Sequence, residues 1–228
     1  MTLVKICGLR EPAHALAAAE AGADFIGLVF AESRRRVSVD QARAIVCTLG
    51  EPLVARQGRG AEHIEALLRR KRPLVVGVFA DADAESVNCT ADAVGLDVVQ
   101  LSGDEPWDMC ARLSRPVLKA MKVRDGTSAG EIIAGLRAGA IPLLDTHAEA
   151  ALGGTGRPFD WSLAAEVARR FPIVLAGGLT PENAGEAVRR VRPWAVDVST
   201  GVETDGAKDV EKICGFIAAV REAKTAKE

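Results

Sequence analysis

Short runs of β-branched and aliphatic residues recur along this chain, apolar throughout rather than alternating, each bounded by Gly, Pro or Asp. They begin near Leu3, Asp24, Leu74, Asp97, Val117, Ile141, Ile173 and Ala195. Each is too short for a helix, and unbroken apolar character is the mark of parallel strands covered on both faces. The segments between them carry helical patterns, over residues 12–21, 39–49, 84–94, 106–113, 129–138, 161–170, 181–191 and 210–223. Pro181 suits a first helical turn, with Thr180 before it as the cap.

Strand starts are separated by about 21, 50, 23, 20, 24, 32 and 22 residues, the rhythm of repeated βα units. A helix-to-strand joint also recurs, as Ala21-Gly22-Ala23-Asp24, Val94-Gly95-Leu96-Asp97 and Ala138-Gly139-Ala140-Ile141. Glycine there fits a left-handed helix cap followed at once by a strand. Eight such units predict a closed α/β barrel, (β/α)8, forming one domain over residues 1–228. A doubly wound sheet would have fewer strands and a Gly-rich turn after the first, where Gly8 stands alone.

Two intervals are too long. The first, at about residues 50–72, contains Arg56-Gln57-Gly58-Arg59-Gly60 and an amphipathic helix over roughly 61–71. Because it precedes strand three, it belongs on the N-terminal face, away from the chemistry. The expectation is a solvated or partly disordered insertion, rather than a partner-binding element. The second interval follows strand six and contains Gly153-Gly154-Thr155-Gly156. It falls on the catalytic face, where long Gly-rich loops close over ligands.

Composition narrows the function. With 228 residues and 48% hydrophobic content the chain can bury a large core. A formal net charge of −2 gives no general pull toward nucleic acid or anionic membrane. The absence of a membrane-spanning apolar run or a secretory start points to the cytoplasm. Five cysteines are scattered without CxxC spacing and three histidines do not cluster with them, so no metal is expected. Apart from Cys7, the cysteines read as small buried hydrophobes.

In such a barrel, chemistry sits at the C-terminal strand ends, and the loops after strands seven and eight often hold phosphate. Those loops read Ala176-Gly177-Gly178-Leu179 and Ser199-Thr200-Gly201-Val202-Glu203. Their glycines let backbone N–H groups approach an anion, which predicts a phosphorylated small-molecule substrate. The reactive groups at the other strand ends are Cys7, Asp145, Asp197 along strand eight, and Ser102 after strand four. After strand two, Glu32-Ser33-Arg34-Arg35-Arg36 offers guanidinium groups suited to a substrate carboxylate. No Ser-His-Asp arrangement with a nucleophile elbow is present, and no set of metal ligands. A base and an acid without a cofactor suggest proton-transfer chemistry such as isomerisation.

Taken together these segments resemble the phosphoribosylanthranilate isomerases of tryptophan biosynthesis. The matching segments are Val4-Lys5-Ile6-Cys7-Gly8, Gly22-Ala23-Asp24-Phe25-Ile26-Gly27 and Ser33-Arg34-Arg35-Arg36-Val37-Ser38. They continue through Val76-Gly77-Val78-Phe79, Val99-Gln100-Leu101 and Leu143-Leu144-Asp145 to Gly153-Gly154-Thr155-Gly156 with Phe159-Asp160-Trp161. The last are Ala176-Gly177-Gly178-Leu179, with Pro181 and Asn183, and Asp197-Val198-Ser199-Thr200-Gly201-Val202-Glu203. The resemblance implies an Amadori rearrangement without cofactor. It makes Asp145 the general acid, Cys7 the general base, Arg35 the partner of an anthranilate carboxylate and Asp197 a substrate-positioning carboxylate. Gly154, Gly177, Gly178, Ser199, Thr200 and Gly201 then fall in phosphate-binding loops. The family is often monomeric. The long segment before strand three is similar to that of fungal versions, which are often fused to other pathway enzymes, so an excised domain and a stand-alone relative both stay open.

The chemistry sets requirements. Cys7 needs a pKa below the ordinary thiol value of about 8.5, and Asp145 needs one raised enough to hold a proton. Two departures from the family pattern stand out: Ser102, where histidine is usual, and Arg34, where proline or lysine is common. Ser102 and the insertion motivate an alternative, a weak or idle phosphosugar-binding barrel. A neighbouring phosphosugar isomerase or synthase is the other alternative, though aspartate or lysine would be expected in place of Cys7.

Overall fold

The computed structural model describes residues 1–53, 58–71, 73–123, 126–145 and 161–223. Eight parallel strands close into a barrel in chain order: β1 (Leu3–Cys7), β2 (Phe25–Val29), β3 (Leu74–Phe79), β4 (Val98–Leu101), β5 (Val117–Lys122), β6 (Ala140–Asp145), β7 (Val174–Ala176) and β8 (Ala195–Val198). The ring shuts where β8 returns to β1, with Lys5 beside Asp197 and Ile6 beside Val198. The helices are α1 (Pro12–Glu20), α2 (Val39–Thr48), α3 (Gly60–Leu68), α4 (Ala84–Val94), α5 (Met109–Arg112), α6 (Ala129–Gly135), α7 (Trp161–Ala168), α8 (Pro181–Val191) and α9 (Val210–Glu222).

Local signals account for most boundaries. Ser38 and Gln41 form a reciprocal capping box on α2, and Ser128 and Glu131 do the same on α6. Such caps contribute about 1 kcal/mol each. Gly22, Gly95 and Gly139 at the recurring joints all take positive φ, and Gly95 caps α4 in the left-handed region. The aspartates that follow two of these joints have a second task. The Asp24 carboxylate accepts the Val4 N–H at 2.7 Å, and that of Asp97 accepts the Val75 N–H at 2.9 Å. Each pins a neighbouring strand. Two predicted helices come out shorter. The segment 106–113 forms only the turn Met109–Arg112, with no side-chain cap on its first N–H groups, and α6 stops where Leu136 turns extended.

The insertion departs from expectation. Ile64, Leu67 and Leu68 of α3, with Leu53, pack into the cluster inside the barrel formed by Phe25, Leu74, Val98, Leu118, Ile141 and Val174. Ile64 is wholly buried. Trp194 donates its indole N–H to Glu65 at 2.8 Å, and Lys71 pairs with Asp97 at 2.9 Å. Arg59 donates to the carbonyls of Cys110 and Ala111. The segment is therefore not a solvated appendage: α3 is the floor of the barrel at its N-terminal end. An open barrel end would leave interior side chains wet, and the apolar face of an amphipathic helix covers them. Residues 54–57 and 72 of the segment lie outside the described residues.

The cysteines also differ from the expectation. Cys110 is buried, but Cys47, Cys89 and Cys214 are exposed, on the outer faces of α2, α4 and α9. Among the described residues no helix is long and apolar enough to cross a membrane. Nor do three or more His, Cys, Asp or Glu side chains there form a group able to hold a metal ion.

Candidate active site

Strand pleating puts Lys5 and Cys7 on the same inner face of β1. Closure of the barrel sets Asp197 of β8 beside Lys5, with Nζ and Oδ1 2.9 Å apart. Lys5 is fully buried. On the other flank, β2 offers Gly27 opposite Cys7. A methyl group there would lie 2.8 Å from Cys7 Sγ and 3.1 Å from Lys5 Nζ, so thiol and ammonium share the space this glycine leaves. The Ser199 hydroxyl donates to the Cys7 carbonyl at 3.2 Å. Asp145 ends β6 on the same rim, and its charge reaches Asp197.

Burial dominates the electrostatics. It pushes the Cys7 thiol up; the Lys5 ammonium opposes that and Asp197 adds to it, leaving the thiol above its ordinary value. The expectation of a depressed Cys7 is thus overturned, because desolvation of the thiolate outweighs the cation beside it. For Lys5, burial disfavours charge, but Asp197 and Cys7 outweigh it and hold the ammonium firmly protonated. Burial raises the Asp197 carboxyl, Lys5 restrains it and Asp145 pushes it further up.

Arg35 lies over Gly8, where any Cβ would run into its side chain. Its guanidinium donates to both carboxylate oxygens of Glu203, at 2.7 and 3.1 Å, and to the Thr200 hydroxyl at 3.0 Å. Arg34 and Lys208 converge on the same carboxylate. Burial would raise the Glu203 pKa, but hydrogen bonds from Arg35 and Lys208 hold it at about 2. The arginine cluster is therefore divided: Arg34 and Arg35 serve Glu203, while Arg36 lines an open groove of about 540 Å³ beside Phe30, Phe79, Ser86 and Thr90.

The loops after β7 and β8 meet backbone to backbone. A Cβ on Gly201 would overlap the Leu179 carbonyl oxygen. Gly177 and Gly178 both take positive φ, and Asn183 donates to the Gly178 carbonyl at 2.9 Å. Thr200 begins a single 3-10 turn, Thr200–Val202, and Ser199 before it is fixed by Lys208, which donates to its carbonyl at 2.7 Å. A hairpin follows, of β9 (Glu203–Thr204) and β10 (Ala207–Lys208). Ser102 accepts a hydrogen bond from the Gln100 amide at 3.0 Å. Gly154 and its loop lie outside the described residues. Cys7, Asp145, Asp197, Arg35, Ser199, Thr200, Gly201, Gly177 and Gly178 thus gather on one rim. Lys5, Glu203 and Lys208 are the site residues that sequence reasoning missed.

A family model described as N-(5'phosphoribosyl)anthranilate (PRA) isomerase matches residues 52–219. A protein named N-(5'-phosphoribosyl)anthranilate isomerase from Dehalococcoides mccartyi is 43% identical over 230 residues, covering 98% of this chain and 97% of its own. One from Pseudomonas fluorescens strain SBW25 is 45% identical, with 97% of each chain covered. The crystal structure of phosphoribosyl anthranilate isomerase from Thermotoga maritima superposes with a TM-score of 0.79 at 36% identity, covering 97% of this chain and 99% of that one. Another, in complex with reduced 1-(o-carboxyphenylamino)-1-deoxyribulose 5-phosphate, gives 0.77 at 35% identity with the same coverage. An eight-stranded barrel with this rim, and likeness along nearly the whole chain, place the protein in the phosphoribosylanthranilate isomerase family.

Proposed function

We propose that this chain catalyses the Amadori rearrangement of N-(5-phosphoribosyl)anthranilate to 1-(2-carboxyphenylamino)-1-deoxyribulose 5-phosphate, a step of tryptophan biosynthesis, with Asp145 as acid and Cys7 as base. The observation that carries the assignment is their placement. The thiol and the carboxyl end β1 and β6 on one rim, and Asp197 lies near both: the Asp145 charge acts on its carboxyl, and it acts in turn on the thiol. Asp145 protonates the furanose ring oxygen as the nitrogen lone pair expels it, giving the open Schiff base. Cys7 as thiolate then takes the C2 proton, and the electron pair left behind forms the enolamine, which becomes the ketose.

The substrate's phosphate fits the joined loops, through Gly177, Gly178, Ser199, Thr200 and Gly201, with Gly154 contributing from the loop after β6. Arg35 receives the anthranilate carboxylate, an arginine-to-carboxylate pairing of the kind Glu203 already makes with it. Asp197 positions the sugar. Among the described residues the exposed large hydrophobics are few, Met1, Leu16 and Val210, in keeping with a monomer. The test follows substrate loss by its fluorescence. Turnover by the native chain should fall by three orders of magnitude or more in Cys7→Ser and in Asp145→Asn, with circular dichroism unchanged. A native chain that binds substrate without converting it would establish an idle barrel instead.

A further inference from the structure

We propose that Lys5 is the positioning residue that makes Cys7 a base: its buried ammonium, held between the Asp197 carboxylate and the Cys7 sulfur, is the counter-charge of the thiolate. The proposal rests on the reading of Cys7 as the proton acceptor, and it answers a difficulty that the geometry raises. A thiol sealed inside a barrel loses hydration that its anion needs, so a nearby cation must replace it. Among the described residues around Cys7, its own strand supplies Lys5, β8 supplies Asp197, β2 supplies Gly27 and the apolar Val29, and β3 the apolar Val78. Asp145 acts from β6 on Asp197. Lys208 of β10 also acts on the sulfur, but its donors go to the Ser199 carbonyl at 2.7 Å and to Glu203 at 3.0 Å. Burial also lowers the pKa of Lys208, whereas that of Lys5 is raised. Lys208 is committed to the Glu203 carboxylate, so Lys5, on the same strand and face as Cys7, is the cation left to balance the sulfur.

Two details support the arrangement. Asp197 anchors the ammonium at 2.9 Å, which fixes Lys5 beside the space it shares with the thiol. Gly27 leaves the shared space open: a Cβ there would come within 3.1 Å of Nζ and 2.8 Å of Sγ. Lys5 does not take the C2 proton. It sets how much of Cys7 is ready to take it.

The experiment is a pH titration of Cys7 by ultraviolet thiolate absorbance, each chain read against its own Cys7→Ser counterpart so that the other four cysteines cancel. In Lys5→Met the Cys7 titration should move upward by about one unit or more. The acid limb of the kcat/KM profile should move with it. At neutral pH kcat should fall about tenfold or more while KM changes little, and raising the pH should recover rate. Gly27→Ala, which keeps both charges but fills the space between them, should shift the same titration upward. If Lys5→Met does not fold, the double variant Lys5→Met/Asp197→Asn is compared with Asp197→Asn alone, which leaves no buried carboxylate without its cation. A folded variant lacking Lys5 whose Cys7 titration stays in place overturns the proposal. Undiminished turnover in Cys7→Ser would instead overturn the assignment of the base, and the titration would still report on Lys5.

Discussion

Gly201 sets how closely the loops after β7 and β8 approach. Its missing side chain lets the Leu179 carbonyl oxygen occupy the space a Cβ would need. Both partners are backbone, so neither can swing aside as a flexible side chain would. Gly201→Ala should therefore part the loops and raise KM for the phosphorylated substrate about tenfold or more, with a smaller effect on kcat; steady-state kinetics decide it. Glu203 makes a second prediction at this scale. Its carboxyl lies at about 2 in the folded chain, against an ordinary 4.5. A depressed carboxyl adds stability that is complete above pH 4.5 and is lost as pH falls toward 2. Glu203→Gln cannot titrate, so its deficit in unfolding free energy against the native chain should be constant near neutrality and close over that acid range. Denaturant titrations at several pH values measure this. Lys5 was legible in principle: a lysine two places before Cys7 shares its face, and barrel closure puts strand eight beside strand one. What the one-dimensional pattern lacked was the register that sets Lys5 against Asp197.

Among the elements, the strands were plain in the sequence. A strand of three to six residues buried on both faces is apolar at most positions, and turn residues on either side mark its ends. The hairpin β9–β10 was not plain, although Asp205-Gly206 is a strong turn signal and both residues take positive φ. Strands of two residues leave no periodicity to read, so Glu203 stood only at the end of the loop after strand eight and Lys208 had no place. Helix α3 was seen, but its role was misjudged. Its apolar stripe gave the amphipathic character, while the surface it covers is assembled from residues of β2 through β8 and exists only in the closed fold. Ile64→Ala should therefore destabilise the chain by about 2–5 kcal/mol, read from denaturant unfolding. An apolar cavity of that size stays dry, so kcat of the folded variant should be unchanged.

For the molecule as a whole, the closing seam is stitched from outside as well as within. Arg221, near the end of α9, donates to the Thr2 and Gly22 carbonyls and pairs with the buried Asp24 at 2.7 Å. Asp24 in turn holds the first residues of β1. Arg221→Met should cost about 2–3 kcal/mol, because it deprives a buried carboxylate of its cation. Hydrogen exchange should show β1 and α9 loosening together. The floor laid by α3 has a different consequence, for the range of electric fields inside the barrel. Charges next to water are screened more than charges above aliphatic carbon. Ile64, Leu67 and Leu68 keep water from the apolar lower barrel, although α3 lies at the opposite end from the rim. A polar residue at Ile64 that drew water into the lower barrel would weaken the influence of Lys5 on the thiol without touching either.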